Sequence, residues 1–221
     1  ALFGDLLFPI ISLSVAGILF EGALTLKMTE LKEIGSTVRN LVTIGALITW
    51  VITSVIAHLA IGFDYDMAFL FGAMVVVTGP TVIVPMLRTV RPVKRVADIL
   101  RWEGIIIDPI GALLAVLAFD FYIATQSSDV FVDIMLLFLK VVGIGAGVGV
   151  IFGFGLSHIL RKHWLPEYLR SPFTLLMVFV AFALSETMLH ESGLLAVTIF
   201  GMIVARSEER RVGKECRSRW S

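Results

Sequence analysis

Residues 75–85 read VVVTGPTVIVP and interrupt an uncharged apolar run that extends from residue 67 to residue 87. Pro80 cannot donate a backbone hydrogen bond, and its ring displaces the carbonyl one turn earlier, while Gly79 loosens the helix. Broken backbone at membrane depth is tolerated where protein buries it or where it lines a cavity. The stretch therefore predicts either an ordinary proline kink or a pair of half-helices of the kind that exposes carbonyl oxygens to a cation.

The composition indicates a membrane protein. Of the 221 residues, 57% are hydrophobic and 16% are charged, whereas a soluble domain is about 45–50% apolar and about 25% charged. Lys and Arg together number 18, as do Asp and Glu, so no excess charge points to nucleic acid. The single cysteine, Cys216, cannot form an internal disulfide. These numbers exclude a soluble globular domain and a disordered chain.

Seven apolar runs follow one another, and a membrane-spanning helix needs about 20 such residues. They cover residues 6–26, 41–63, 67–87, 99–118, 134–160, 173–189 and 193–205. The last run is short, so it could also be re-entrant or interfacial. The loops after the first, third and fifth runs, with the start of the fourth run, carry eleven Lys and Arg residues, and the alternate loops carry none. Because positive residues stay on the cytoplasmic side, this asymmetry predicts an outside N-terminus and a cytoplasmic end of the seventh run.

Asp108 is the strongest candidate for chemistry inside the membrane. It lies near the middle of the fourth run, in the segment EGIIIDPIGA. Ionisable residues at this depth are costly and are functional candidates by default. Burial disfavours the charged form of a carboxyl group, so such a group can exchange a proton for a cation. The alternative is a protonated aspartate that hydrogen-bonds to a neighbouring helix.

Two glutamates, Glu103 and Glu21, also lie within apolar runs. Glu103 lies five residues before Asp108 and about 140° around the helix, so the two do not share a face. A buried glutamate needs a basic partner, and no run of this chain supplies an intramembrane arginine for it. Glu21 lies near the end of the first run, where it could bind a cation or simply reach the membrane surface.

The remaining unusual residues favour structural roles. Lys140 lies near the end of its run and is expected to extend its amine to the membrane surface. Glu186 and His190 are four residues apart and can hydrogen-bond on one helix face. Glycines at 145, 149 and 153, and at 143 and 147, indicate close helix packing. The chain has no P-loop, zinc helix or nucleophile elbow, so no enzymatic activity is expected.

The last stretch, residues 206–221, changes composition abruptly to RSEERRVGKECRSRWS. It could be a solvated basic tail near anionic lipid. It also resembles adapter- or vector-derived reading frames that end fragmentary gene sequences. We therefore expect residues 1–205 to be an incomplete transmembrane region and residues 206–221 to be a basic tail of artefactual origin.

The order and spacing of four segments resemble those of the sodium/proton antiporter family of the monovalent cation/proton antiporter superfamily. The segments read LFEGALTL (19–26), VVTGPTVIVPMLR (76–88), WEGIIIDPIGALLAVL (102–117) and SGLLAVTIFGMIVA (192–205). The resemblance implies an all-α polytopic membrane helix bundle with a partial inverted-repeat fold of about seven spans, one of them broken at Thr78-Gly79-Pro80. It also implies alternating access by a moving core and a homodimer of the full-length protein.

The resemblance further implies roles for individual residues. Asp108 matches the aspartate that binds the cation and the proton. Thr78 matches the threonine whose backbone helps to coordinate the cation, and Glu21 matches a glutamate that can contribute to the site. Glu103 matches the glutamate that forms a structural ion pair with an arginine of a later helix, which this chain does not contain.

The crossing of broken helices would comprise Gly79, Pro80 and Thr81. Gly79 stands where the family often has aspartate, so no carboxylate offsets the half-helix dipoles there. Ile107 stands where many members have asparagine, and Gly104 stands where they often have serine. Fewer polar ligands leave the preference among sodium, potassium and lithium open.

These matches imply secondary active exchange of cytoplasmic Na⁺ for external protons in pH and sodium homeostasis. A potassium/proton antiporter, a non-transporting membrane subunit and an inactive fragment are the alternatives. We expect no cofactor and no resident metal beyond the transported ions, and no nucleic-acid partner. The expected location is a bacterial plasma membrane, which the chain crosses several times.

Overall fold

The computed structural model describes residues 4–124, 130–162 and 166–218, and this part of the chain is largely helical and contains no β-strand. Its α-helices are α1 (Gly4–Leu24), α2 (Met28–Asn40), α3 (Ala46–Ile56), α4 (Tyr65–Val75), α5 (Pro80–Val90), α6 (Lys94–Ala124), α7 (Val130–Arg161), α8 (Glu167–Met188) and α9 (Ser192–Ser218). Two π-helical turns, Leu41–Gly45 and Ala57–Ile61, flank α3. The prediction of an all-α chain is confirmed.

Within the described residues, four helical stretches are long and apolar enough to cross a bilayer. They are Glu33–Ile61, Lys94–Ile123, Met135–Arg161 and Glu167–Met188. Two shorter apolar helices, Pro9–Leu24 and Tyr65–Val75, accompany them. The chain is therefore a multi-pass membrane protein, and the number of seven spans stays a prediction.

Several helices extend beyond the apolar runs from which they were predicted. The helix of the fourth run continues past residue 118 to Ala124, so Asp120 is a helical residue. The helix of the seventh run continues through the basic stretch to Ser218. A change of composition does not end a helix when the next residues are good helix formers. The boundary between residues 205 and 206 stays a prediction.

The chain divides into two compact units, which are described separately. One unit comprises residues 1–29 and 141–221, and the other comprises residues 30–140. The core of the first unit is an apolar cluster in which the rings of Phe20 and Phe200 lie 5.0 Å apart. In the second unit, α6 packs against α4 and α5, and α3 packs against α4.

A stripe of glycines on α7 allows close packing in the first unit. A Cβ atom at Gly149 would lie 2.5 Å from the carbonyl oxygen of Ala196 on α9, and one at Gly145 would lie 2.9 Å from the Ser192 carbonyl oxygen. Gly153 faces α9 as well. Among the described residues, nothing lies within 4 Å of the Cβ positions of Gly143 and Gly147. The packing prediction is confirmed for the first three glycines, and for Gly143 and Gly147 it stays a prediction.

The glycine stripe gives a stability test. We expect Gly149→Ala to lower the free energy of unfolding by about 1–3 kcal/mol relative to Gly147→Ala, since the new methyl group overlaps a backbone carbonyl. Both variants gain the same helix propensity, so Gly147→Ala is a matched control. Thermal unfolding of the detergent-purified protein measures the difference. Equal stability of the two variants would show that α7 and α9 do not approach this closely.

Candidate ion site

The break predicted at Thr78-Gly79-Pro80 is present as a gap between two separate helices. Helix α4 ends at Val75 and α5 begins at Pro80, and residues 76–79 between them are not helical. Gly79 has extended backbone angles, φ −70° and ψ 135°. Pro80 is the first residue of α5, where its missing N–H removes no helical hydrogen bond. The half-helix interpretation is confirmed over the simple kink.

The ends of the two half-helices carry opposite partial charges. The last carbonyls of α4 have no intrahelical donors and form its negative end, while the first N–H groups of α5 form its positive end. The Gly79 carbonyl accepts hydrogen bonds from the N–H groups of Val82 (3.2 Å) and Ile83 (3.4 Å), so it belongs to the first turn of α5. The carbonyl end of α4 is thus the part of the break that suits a cation.

Two glycines let α6 approach this break. A Cβ atom at Gly104 would lie 3.7 Å from the Thr78 carbonyl oxygen and 2.6 Å from Cδ1 of Ile83. A Cβ atom at Gly111 would overlap the side chain of Val77. The two glycines are seven residues apart, which is about two helical turns, so they lie on one face of α6. That face lies against the non-helical segment.

Asp108 lies on the same face of α6 as these glycines. It follows Gly104 by four residues and precedes Gly111 by three, and residues at these spacings share a helix face. Its side chain is half-buried. Among the described residues, no hydrogen bond or ion pair engages its carboxylate. The carboxylate therefore lies on the α6 face that meets the break, without a hydrogen-bond or ion-pair partner among the described residues.

Glu103 contacts the break through Thr78. The Thr78 hydroxyl donates a hydrogen bond of 2.8 Å to Oε1 of Glu103. In the part of the chain that the structure describes, Glu103 has no ion pair. This bond was not predicted from the sequence, because its partners are 25 residues apart, one in the non-helical segment and the other on α6. The one indication in the sequence was the angle of about 140° between Glu103 and Asp108 around the helix, which predicts different neighbours for the two carboxylates.

The remaining predicted site residues are Glu21, Pro80 and Thr81. Glu21 belongs to the other compact unit, where its exposed side chain lines a groove of about 710 Å³ with Glu167 and Arg170. Its contribution to an ion site stays a prediction. The backbone of Pro80 and Thr81 begins α5, and their side chains lie outside the described part of the structure.

The acidic residues near the start of α9 have a structural arrangement. The Glu186 carboxylate accepts hydrogen bonds from the N–H groups of Glu191 (3.1 Å) and Gly193 (3.2 Å) and lies 3.6 Å from Nδ1 of His190. It thus satisfies free N–H groups at a helix start. Burial, and then the negative charge of Glu186, raise the pKa of the Glu191 carboxyl, while His190 opposes the shift. Lys140 is exposed, and the extension of its amine to the membrane surface stays a prediction.

The raised pKa of Glu191 predicts a pH-dependent stability. A carboxyl whose pKa is higher in the folded state costs stability once the pH rises above its ordinary value of about 4.3 and through the raised value. We therefore expect Glu191→Gln to raise the melting temperature at about pH 8 and to have no effect at about pH 4. Thermal unfolding at both values measures this, with Glu33→Gln, an exposed site, as control. The opposite pH order would contradict the assignment.

The chain belongs to the sodium/hydrogen exchanger family. The family's pattern, described as "Sodium/hydrogen exchanger, transmembrane", matches residues 9–219. This match confirms the resemblance that the four sequence segments indicate.

Individual relatives and solved structures agree with the family. The chain is 26% identical over 202 residues to the low-affinity Na⁺/H⁺ antiporter NhaS1 of Synechocystis sp., which covers 91% of this chain and 38% of that protein. It is 30% identical over 147 residues to Na⁺/H⁺ antiporter 1 of Methanocaldococcus jannaschii, covering 66% of this chain and 33% of that one. The structure of the sodium proton antiporter MjNhaP1 from M. jannaschii at pH 8 superimposes with a TM-score of 0.72 and 27% identity, over 89% of this chain and 48% of that chain. The chain thus spans less than half the length of these proteins.

Proposed function

We propose that the complete protein exchanges Na⁺ for protons across the membrane, with Asp108 as the carboxylate that binds either ion. The observation that carries the proposal is the position of Asp108 on the α6 face that packs against the break between α4 and α5. The carboxylate has no other partner among the described residues. Membership of the sodium/hydrogen exchanger family and relatives named Na⁺/H⁺ antiporters support the same reaction.

The mechanism follows from competition for one carboxylate. A proton on Asp108 removes the charge that attracts a cation, and a bound cation disfavours the protonated form. Each ion therefore displaces the other, and alternating access of the site to the two sides converts this competition into exchange. The oxygen atoms of Thr78 and the carbonyl end of α4 supply further ligands for the cation.

The proposal includes Na⁺ as the transported cation. Gly104 contributes no side-chain oxygen, and Ile107 is 2% exposed and apolar. We assign Na⁺ because the relatives are named for it. Transport of K⁺ and not Na⁺ in the same vesicle assay would replace this assignment with potassium/proton exchange.

The proposal includes the setting of the protein. The full-length protein is a homodimer in a bacterial plasma membrane, with its N-terminus outside and its C-terminus in the cytoplasm. It needs no cofactor and catalyses no covalent reaction. Residues 1–205 belong to the transmembrane region, and residues 206–221 form a basic tail of artefactual origin. The charge asymmetry of the loops supports the orientation, and the family resemblance supports the homodimer and the membrane location. The abrupt change of composition at residue 206 supports the artefactual origin, and the family's pattern extends to residue 219.

Substitution of Asp108 tests the proposal. We expect Asp108→Asn to abolish Na⁺-dependent proton movement in everted membrane vesicles that contain the full-length protein, because an amide cannot cycle a proton. Asp120→Asn on the same helix is the matched control and should retain exchange. Exchange by Asp108→Asn at the wild-type rate would refute the assignment. A wild-type protein that moves no cation would favour the non-transporting subunit.

The charge carried per cycle is a second test. The Ile107-Asp108 pair offers one carboxylate, so we expect one Na⁺ to exchange for one proton with no net charge movement. In proteoliposomes that contain the full-length protein, Na⁺-driven proton flux should proceed without a transport current. A current proportional to the flux would show that a second titratable group takes part in each cycle.

A further inference from the structure

Glu103 is placed to act on the ion site without touching the ion. We propose that Glu103 is a positioning residue that holds the segment 76–79 through the Thr78 hydroxyl, so that the oxygens of Thr78 face a cation bound at Asp108. The inference rests on the proposed function. It adds to the ion pair with a later arginine that the family resemblance implies for Glu103, because the contact lies within one compact unit of this chain.

The Thr78 hydroxyl can donate a hydrogen bond and offer its lone pairs to a cation at the same time. A threonine hydroxyl has one proton to donate and two lone pairs to offer. At 2.8 Å from Oε1 of Glu103, the Thr78 hydroxyl donates its proton to an acceptor that carries negative charge when ionised. Both lone pairs then remain available to a cation, and the proton points away from it. Without the acceptor the hydroxyl rotates and can direct its proton at the cation.

Few other interactions restrain the segment 76–79. Residues 76–79 lie outside both half-helices, and Pro80 has no N–H group to donate. The segment meets α6 where the Val77 side chain lies against Gly111, and the Thr78 carbonyl oxygen would be 3.7 Å from a Cβ atom at Gly104. Among the described residues, the bond from Thr78 to Glu103 is the one side-chain hydrogen bond that reaches the segment. It is therefore the directional restraint on where Thr78 points its oxygens.

The carboxylates of Asp108 and Glu103 occupy different positions around α6. Asp108 lies between Gly104 and Gly111 on the face that meets the break, whereas Glu103 lies about 100° away from Gly104 on the flank. Glu103 can thus reach the Thr78 side chain from the side and leave the space in front of Asp108 clear. One carboxylate has a protein donor and the other has none, so the two groups suit different tasks.

Transport kinetics of the full-length protein test the proposal. We expect Thr78→Val to raise the apparent KM for Na⁺ by about tenfold or more with little change in maximal rate, as for the loss of a hydrogen bond to a charged group. Thr78→Ser keeps the hydroxyl and should restore a KM close to that of the wild type. Thr89→Val, on α5, replaces a threonine whose hydroxyl donates to the carbonyl oxygen of Pro85 on its own helix and has no other hydrogen bond among the described residues, and it should leave KM unchanged.

A double-variant cycle identifies the partner. We expect Glu103→Leu to raise KM by at most as much as Thr78→Val, because Thr78→Val also removes the hydroxyl oxygen, and the variant with both changes to be no worse than Thr78→Val alone. Glu103→Gln keeps an acceptor oxygen and should raise KM less. Additive effects of Thr78→Val and Glu103→Leu, or a wild-type KM for Thr78→Val, would overturn the proposal.

Amide hydrogen exchange separates this inference from the proposed function. We expect the amides of residues 76–79 to exchange faster in Thr78→Val and in Glu103→Leu than in the wild type or in Thr89→Val. This readout needs no transport. If the wild-type protein moves no Na⁺ and the two variants still exchange these amides faster than the wild type, the proposed function is refuted and the positioning role is supported. Intact Na⁺ transport with unchanged amide exchange and unchanged KM would refute the positioning role alone.

Discussion

The close approach of the α6 backbone to the break between α4 and α5 is the contact on which the ion site depends. Glycine at residues 104 and 111 favours this approach, because a Cβ atom at 111 would overlap the Val77 side chain and one at 104 would require the end of the Ile83 side chain to move. The gap between the half-helices alone would leave polar backbone in an apolar medium, where each unsatisfied group is costly. Packing of α6 against the gap covers part of that backbone, and Asp108 lies on the α6 face that meets the gap.

Glycine serves the same physical purpose in the other compact unit. There Gly145, Gly149 and Gly153 bring α7 against α9. Lipid tails are as apolar as leucine side chains, so burial of apolar surface drives helix association weakly in a membrane. Close van der Waals packing replaces it, and small residues on one face make that packing possible. In this chain the device builds a rigid helix pair in one unit and the ion site in the other.

The parts of the site that depend on local chemistry could be predicted from the sequence. Pro80 and Gly79 indicate the break because proline lacks a donor wherever it occurs, and Asp108 is conspicuous because a charge inside an apolar run is costly anywhere. The contact of Thr78 with Glu103 could not be predicted, since it depends on how α5 and α6 cross.

The glycines show the same limit. In the sequence, Gly104 stands where the family often has a polar ligand. In the structure, the absence of a side chain at Gly104 leaves room for the Ile83 side chain and the Thr78 carbonyl oxygen. The spacing of Gly143 and Gly147 resembles that of the packed stripe, yet nothing described lies against them. A helical period tells which residues share a face, and only the arrangement of neighbouring helices decides which face is covered.

The length of α6 has a consequence for the depth of its carboxylate in the bilayer. The helix has 31 residues, from Lys94 to Ala124, and is about 46 Å long at 1.5 Å per residue. This exceeds the hydrocarbon thickness of about 30 Å, so the helix tilts or projects, and its tilt changes with the thickness of the membrane. Asp108 lies about 21 Å from one end and about 24 Å from the other. A helix that pivots about its middle moves its ends and leaves its centre near the middle of the membrane, so Asp108 stays about equally far from the two aqueous phases in thin and thick membranes alike.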